Sequence, residues 1–262
     1  MSQQEWSDWY RHEDPTEWVL PRILAKRAEA TPDRPYYRFG DGEWITYGGM
    51  RARSNRVANA LIRHGLGTGD VVSTLLPNME PHLEIWFGIL TAGATQCPIN
   101  TAYRGDFLSW AVNLPQSRML MIGDCFLEEL DGVSDELPLL ERVVVVPTGN
   151  RKGPDPRKPW ETLEAFLDGA TDADPGIEVP WTGDARIMFT SGTTGRSKGV
   201  IKQHASDYFS GKTYTLVCDV TEDDVFYSCL PLFHSNAQVL AAYPAMIAGA
   251  RIQFQERYSS SR

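Results

Sequence analysis

Three observations predict an α/β protein with mainly parallel sheets flanked by helices. From residue 70 onward, short apolar runs alternate with helix-length segments at the spacing of β-α-β units. The segment 81–92, with Leu83, Ile85, Trp86, Phe87, Ile89 and Leu90, is apolar nearly all round, as a helix held between two layers must be. A turn rich in glycine and hydroxyl groups at 190–199 is bracketed by a strand-like run at 186–189 and a helix-like segment over 199–218.

Residues 18–64 read as helix, two short strands, helix. In the second helix Met50, Ser54, Val57, Ala58 and Leu61 share one face, Arg51, Arg53, Arg56 and Arg63 read as a solvated face, and Gly65 ends it. The run Gly65-Leu66-Gly67-Thr68-Gly69 precedes a strand instead of following one, so it is a helix stop and turn, not a dinucleotide loop. Strands follow at 71–76, 96–99, 119–122 and 143–146, with helices at 81–92, 104–114 and near Phe126. Residues 147–184 carry six prolines around one expected helix at 161–167 and read as a connection to a second substructure. Beyond the loop come a strand at 224–229, a helix at 236–248 and a strand at 251–255. The expected organisation is thus an N-terminal segment plus first α/β subdomain over 1–180, and the start of a second, truncated α/β subdomain over 181–262.

Bulk properties bound the function. With 34 acidic against 25 basic residues and a net charge of -9, no nucleic-acid or anionic-membrane surface is expected, so a polyanionic ligand must be met locally. The N-terminus has no basic and apolar signal pattern, and 239–250 is too short to span a bilayer and contains Pro244. Cys97, Cys125, Cys218 and Cys229 lack ligand spacing and read as reduced, buried thiols of a cytoplasmic protein. The five histidines form no metal pattern, so no protein-bound metal is expected. Trp6, Trp9 and Trp18 read as packing anchors.

The chemistry gathers at 188–200. Gly192, Gly195 and Gly199 allow the backbone to turn its N–H groups towards an anion, Thr190, Ser191, Thr193 and Thr194 add short donors, and Lys198 adds a flexible positive charge. A helix beginning at Gly199 would point its N-terminus at the same site. The Walker A pattern fails because Ser197 precedes the lysine and Gly199 follows it. Residues 195–199 do match G-x-S-x-G, with Asp223 or Asp224 and then His234 in hydrolase order, but the five residues 190–194 intervene between the strand and this string. A flexible linker is the bland alternative, opposed by the strand and helix on either side. Downstream, Leu230-Pro231-Leu232-Phe233-His234-Ser235-Asn236 sets His234 at a strand's C-terminal end, where open α/β sheets keep ligands.

Residues 188–200 resemble, in type and order, the phosphate loop of the AMP-forming adenylating superfamily of acyl-CoA synthetases, luciferases and peptide-synthetase adenylation domains. The Pro-Leu-Phe-His turn is similar to that superfamily's next motif, and residues 44–47, 53–56, 69–72 and 93–100 look like its opening units. The resemblance implies the incomplete N-terminal domain of an acyl-CoA synthetase-like fold. It implies an acyl-CoA ligase that joins a carboxylic acid to AMP and then to coenzyme A, with ATP and Mg²⁺ as cofactors. By resemblance, Thr190, Ser191, Gly192, Thr193, Thr194, Gly195 and Lys198 would hold the ATP phosphates. Thr190, Lys198 and His234 would serve catalysis, and His234, Asn236, Leu240 and Ala241 would begin the acyl pocket. His204 is assigned to helix packing or to supporting the site. The superfamily's metal-binding glutamate, ribose-binding aspartate and second lysine have no counterpart here, so the 262-residue chain is expected to be an inactive N-terminal part, with helix 236–248 short of neighbours and exposing an apolar patch. A carrier-protein adenylation domain, a luciferase-like oxygenase, a serine hydrolase acting through Ser197 and a non-catalytic nucleotide-binding module stay open, as does a homo-oligomer.

Overall fold

The computed structural model describes residues 14–149, 158, 160–190 and 197–256. In chain order, α1 (Leu20–Ala30) leads into a hairpin of β1 (Pro35–Phe39) and β2 (Ile45–Thr46), then α2 (Tyr47–Arg63). The Thr46 side chain caps α2 by accepting from the Gly49 N–H at 3.1 Å. There follow β3 (Val71–Leu75), α3 (Glu80–Thr91), β4 (Thr95–Pro98), α4 (Asp106–Asn113), β5 (Met119–Gly123), α5 (Leu127–Asp131) and β6 (Arg142–Val146). Next come β7 (Glu161–Thr162), α6 (Leu163–Leu167), β8 (Asp184–Phe189), β9 (Gly199–Gln203), α7 (His204–Val217) and β10 (Val225–Ser228). A short α8 (Ser235–Ala237) continues through a π turn (Gln238–Ala242) into α9 (Tyr243–Ala248), and β11 (Arg251–Phe254) closes the described chain.

The expected architecture is present: a seven-stranded sheet in the order β7-β6-β5-β3-β4-β8-β9, parallel except for the β8–β9 hairpin. Every residue of β4 and β5 is buried, the pattern of a parallel sheet covered on both faces. Alternate residues feed two cores: Met119, Met121, Val144 and Val146 on one face, Leu120, Ile122, Val143 and Val145 on the other. A smaller sheet, β10-β11-β1-β2, brings the last described strand between β10 and β1. Both sheets draw strands from either side of residue 180, since β8 and β9 extend the sheet of β3 to β7 while β10 and β11 join β1 and β2. The proline-rich connection after β7 therefore returns to its own sheet.

Helix α3 is the buried layer its composition predicts, with Leu83, Trp86, Phe87 and Leu90 packed among Tyr36, Tyr37, Tyr47 and Tyr243. It lies so close to α2 that a Cβ on Gly88 would fall 2.4 Å from Val57 Cβ, which only glycine avoids. Tyr47 donates its hydroxyl to the Ala250 carbonyl at 2.7 Å, tying the start of α2 to the approach to β11. Gly249, at φ 81°, turns the chain out of α9 in the left-handed conformation that ends helices.

Several local expectations are corrected. The helix expected from Gly199 begins at His204, because Val200 and Ile201 pair with Met188 and Ile187 as an antiparallel strand. Residues 161–162 are likewise a strand before α6. The helix over 236–248 is not short of neighbours: Tyr243 to Ile247 are buried against the core. The arginines of α2 do more than meet solvent. Arg51 bridges Glu29 and Asp174, Arg53 holds Glu80 and Glu84, and Arg56 and Arg63 donate to carbonyls around the end of α6. Of the cysteines only Cys97 is fully buried, and Cys218 is exposed. Trp18 anchors the N-terminal segment against Trp181 and Phe209, as expected, whereas Trp6 and Trp9 lie outside the described residues. Among the described residues no helix is long and apolar enough to cross a membrane, and no group of three potential metal ligands occurs.

Candidate functional site

The C-terminal ends of β4, β8 and β10 converge on a cleft of about 660 Å³. Strand order produces it: β4 and β8 are neighbours in the large sheet, and the turn after β10 reaches across from the small one. At one wall Thr190 and Lys198 close the β8–β9 hairpin, with the Thr190 N–H donating to the Lys198 carbonyl at 3.0 Å and the Lys198 N–H to Thr190 Oγ1 at 3.3 Å. Ser197 Oγ lies 3.4 Å from the Tyr103 hydroxyl. Both Thr190 and Lys198 are exposed. Ser191, Gly192, Thr193, Thr194 and Gly195 lie outside the described residues.

The opposite wall is the 230–236 turn, held by groups the sequence reading passed over. Asn78, just after β3, donates to the carbonyls of Leu230 at 2.9 Å and Gln255 at 3.0 Å, and accepts from the Leu232 N–H at 2.8 Å. Gln238 in the π turn donates to the Leu232 carbonyl at 2.7 Å. The turn itself closes with the His234 N–H on the Pro231 carbonyl at 2.9 Å, and the Phe233 and His234 rings lie 4.4 Å apart. Partial burial lowers the pKa of His234, which keeps the imidazole neutral at neutral pH.

Behind Gln238 lies a buried ionic cluster. Arg186 on β8 and Asp207 on α7, each 1% exposed, pair through the guanidinium Nε at 2.9 and 2.8 Å and through NH2 at 2.7 Å. Tyr243 donates its hydroxyl to the same carboxylate at 3.0 Å, and Arg186 also donates to the Gln238 amide oxygen. Burial pushes the Asp207 carboxyl up, and the guanidinium pulls it back. The sequence signal was available: charged residues interrupting an apolar strand and a helix are informative when they prove buried.

The structure thus brings Thr190, Ser197, His234 and Asn236 to one cleft, with Lys198 at its hairpin end facing Trp110 and Leu114. Leu240 and Ala241 do not line it. Helical rotation carries Ala241 into the core at 6% exposed and turns Leu240 outward at 42%. The serine-hydrolase arrangement is absent, because Ser197 leads into a strand and not a helix. Asp224 caps Thr221 at 2.7 Å, before β10, whereas His234 follows that strand. The helix N-terminus expected behind the loop is also displaced, since the five residues of β9 carry the start of α7 to the far end of the hairpin.

His204 is 1% exposed at the start of α7, and burial pushes its pKa down to about 4; His82, equally buried on α3, is also lowered to about 4. Both are neutral in the folded state at pH values where an unfolded histidine, near 6.5, is charged. Their stabilising contribution is complete above pH 6.5 and is lost as pH falls towards 4. Urea midpoints should therefore decline over that window, and His204→Gln should reduce the slope. A wild-type midpoint flat across it would contradict the neutral assignment.

A larger cleft, about 840 Å³, opens at the N-terminal ends of β3, β4, β5 and β8, beside Asp70, Arg118, Glu141 and Asp184. There Arg118 is already paired with Asp70 at 2.6 Å and Glu141 at 2.8 Å, so it has little charge left for a ligand.

Residues 24–261 match the model of the AMP-binding enzyme family. The chain belongs to that family. It is 29% identical over 264 residues to long-chain fatty acid transport protein 2 of Rattus norvegicus, covering 97% of this chain and 40% of the relative. It is 30% identical to a crotonobetaine/carnitine–CoA ligase of Salmonella arizonae, covering 84% and 42% respectively. The ATP-bound structure of MatB from Rhodopseudomonas palustris superposes with a TM-score of 0.77 at 25% identity, covering 91% of this chain and 46% of that one. The chain spans about 40% of the length of these curated relatives.

Proposed function

We propose that the protein is an ATP-dependent, AMP-forming ligase that activates a carboxylic acid as an acyl-adenylate and transfers the acyl group to coenzyme A. The observation that carries this reading is the facing of Thr190 and His234 across one cleft, with Lys198 beside Thr190 at the hairpin end, in a chain of the AMP-binding enzyme family. An ATP-bound relative and a CoA-ligase relative support the nucleotide and the thiol.

In the first step the acid's carboxylate oxygen attacks the α-phosphorus of ATP, and the bond to the β-phosphate oxygen breaks to release pyrophosphate. Two anions must approach one another. Lys198 and the Thr190 hydroxyl would offset that charge at the β and γ phosphates by positioning and electrostatic stabilisation. In the second step the coenzyme A sulfur attacks the acyl carbon and AMP leaves. The neutral His234 ring would wall the passage along which acid and thiol meet, and Asn236 would offer an amide to the acyl group. The described cleft lining contains no carboxylate, so the described residues do not form a Mg²⁺ cage; Mg²⁺ would travel with the nucleotide phosphates.

Acid-dependent ATP–pyrophosphate exchange, followed by mass detection of an acyl-CoA thioester, tests the reading; this and every exchange assay below uses a protein extended to the full length of the curated relatives, of which this chain spans about 40%. Exchange without a thioester would favour a carrier protein as acceptor, and no exchange with any acid would sink the ligase assignment. His234→Ala should alter acyl preference or thioester yield by roughly tenfold with little change in melting temperature, because the ring is exposed. A change confined to melting temperature would return His234 to a packing role.

A further inference from the structure

We propose that Lys202 determines acid specificity, selecting acids that carry a second anionic group, a dicarboxylate, at the end remote from the activated carboxyl. This rests on the acid-activating reading above and adds a substrate class to it.

The hairpin register sets Lys202 directly opposite Arg186, and opposite residues of an antiparallel pair project from the same face. Two cations therefore stand side by side where the structure supplies one carboxylate. That carboxylate is taken: Arg186 and the Tyr243 hydroxyl engage both oxygens of Asp207. Lys202 is half-buried and makes no hydrogen bond or ion pair among the described residues. It is also the one ionised side chain in the described lining of the cleft, where Asn100, Ser235 and Asn236 add polar groups without negative charge. The Asp207 carboxylate attracts Lys202 only from a distance, since its oxygens are bonded to Arg186 and Tyr243, and a half-buried cation with no bonded counter-charge of its own favours an anionic partner.

Its depth argues that this partner is a second anion. Lys202, on β9, lies four residues beyond Lys198, about 13 Å at the rise of an extended strand, so it stands well away from the phosphates that Lys198 would hold. With Lys198 at the hairpin end, Lys202 faces the remote end of a bound acid. A neutral tail leaves its ammonium unpaired, and a cationic tail is repelled.

The test compares kcat/KM in ATP–pyrophosphate exchange for glutarate, adipate and suberate with that for their monomethyl esters. The diacid should exceed its monoester by roughly tenfold or more, the scale of a charge-assisted hydrogen bond. Lys202→Met should bring the ratio towards one, and Lys202→Arg should retain it. A wild-type ratio near one, or a ratio unchanged in Lys202→Met, overturns the proposal. So does an equal loss for diacid and monoester, which would put Lys202 on the reacting carboxyl. A binding measurement separates this from failure of the ligase reading: lysines are ¹³C-methylated, and the Lys202 signal is identified by its loss in Lys202→Arg. Adipate should shift that signal and methyl adipate should not. A shift without exchange by any acid keeps the anion site and discards the ligase; neither shift nor exchange discards both.

Discussion

Lys198→Ala is expected to slow acid-dependent ATP–pyrophosphate exchange by roughly 10²–10³-fold, the loss that follows removal of one preorganised group from a developing charge. The fold should survive. The side chain is exposed, and its residue holds Thr190 through backbone groups that alanine retains. The melting temperature should therefore stay close to that of the parent while kcat falls. Lys198→Arg should restore part of the rate, since charge remains and only its placement changes. Exchange unchanged in the alanine variant would remove Lys198 from the phosphate site. An equal collapse of stability would show that the hairpin end depends on the side chain as well as the backbone.

What was legible in the sequence depended on how local the signal was. Helix α3 could be read because its burial is written all round its own twelve residues, and the central strands because each is a compact apolar run. The hairpin was misread as loop and helix, since β9 is exposed at four of its five positions and carries no two-residue alternation of buried and exposed residues. The cleft was half legible: Thr190 and His234 lie within recognisable strings, and both reach it. Its supports were not. Asn78 meets Leu232 across a separation of 154 residues, and Arg186 meets Gln238 across 52, so neither pairing leaves a mark in its neighbours. The placement of β11 between β10 and β1 is equally non-local, a matter of sheet order that no window of sequence contains.

Asp207→Ala is expected to be the most destabilising of these substitutions, by about 3–5 kcal/mol, because it strands the Arg186 guanidinium in the core without its counter-charge. Arg186 is 1% exposed and so has no route to water without opening the packing between β8 and α7. The same change removes the acceptor of the Tyr243 hydroxyl, a second buried donor left unmet. Asp207→Asn should cost less, since an amide oxygen still accepts from the guanidinium. The double variant Arg186→Met with Asp207→Leu should recover much of the loss, because an apolar pair avoids the desolvation of both ions. Urea midpoints of the four proteins measure this directly, and a loss below about 1 kcal/mol in Asp207→Ala would mean that Arg186 finds other solvation. The consequence reaches the cleft: Arg186 orients the Gln238 amide oxygen, and that amide's nitrogen holds the Leu232 carbonyl two residues before His234. The ion pair that stabilises the core is thereby also the far anchor of the wall that carries the histidine.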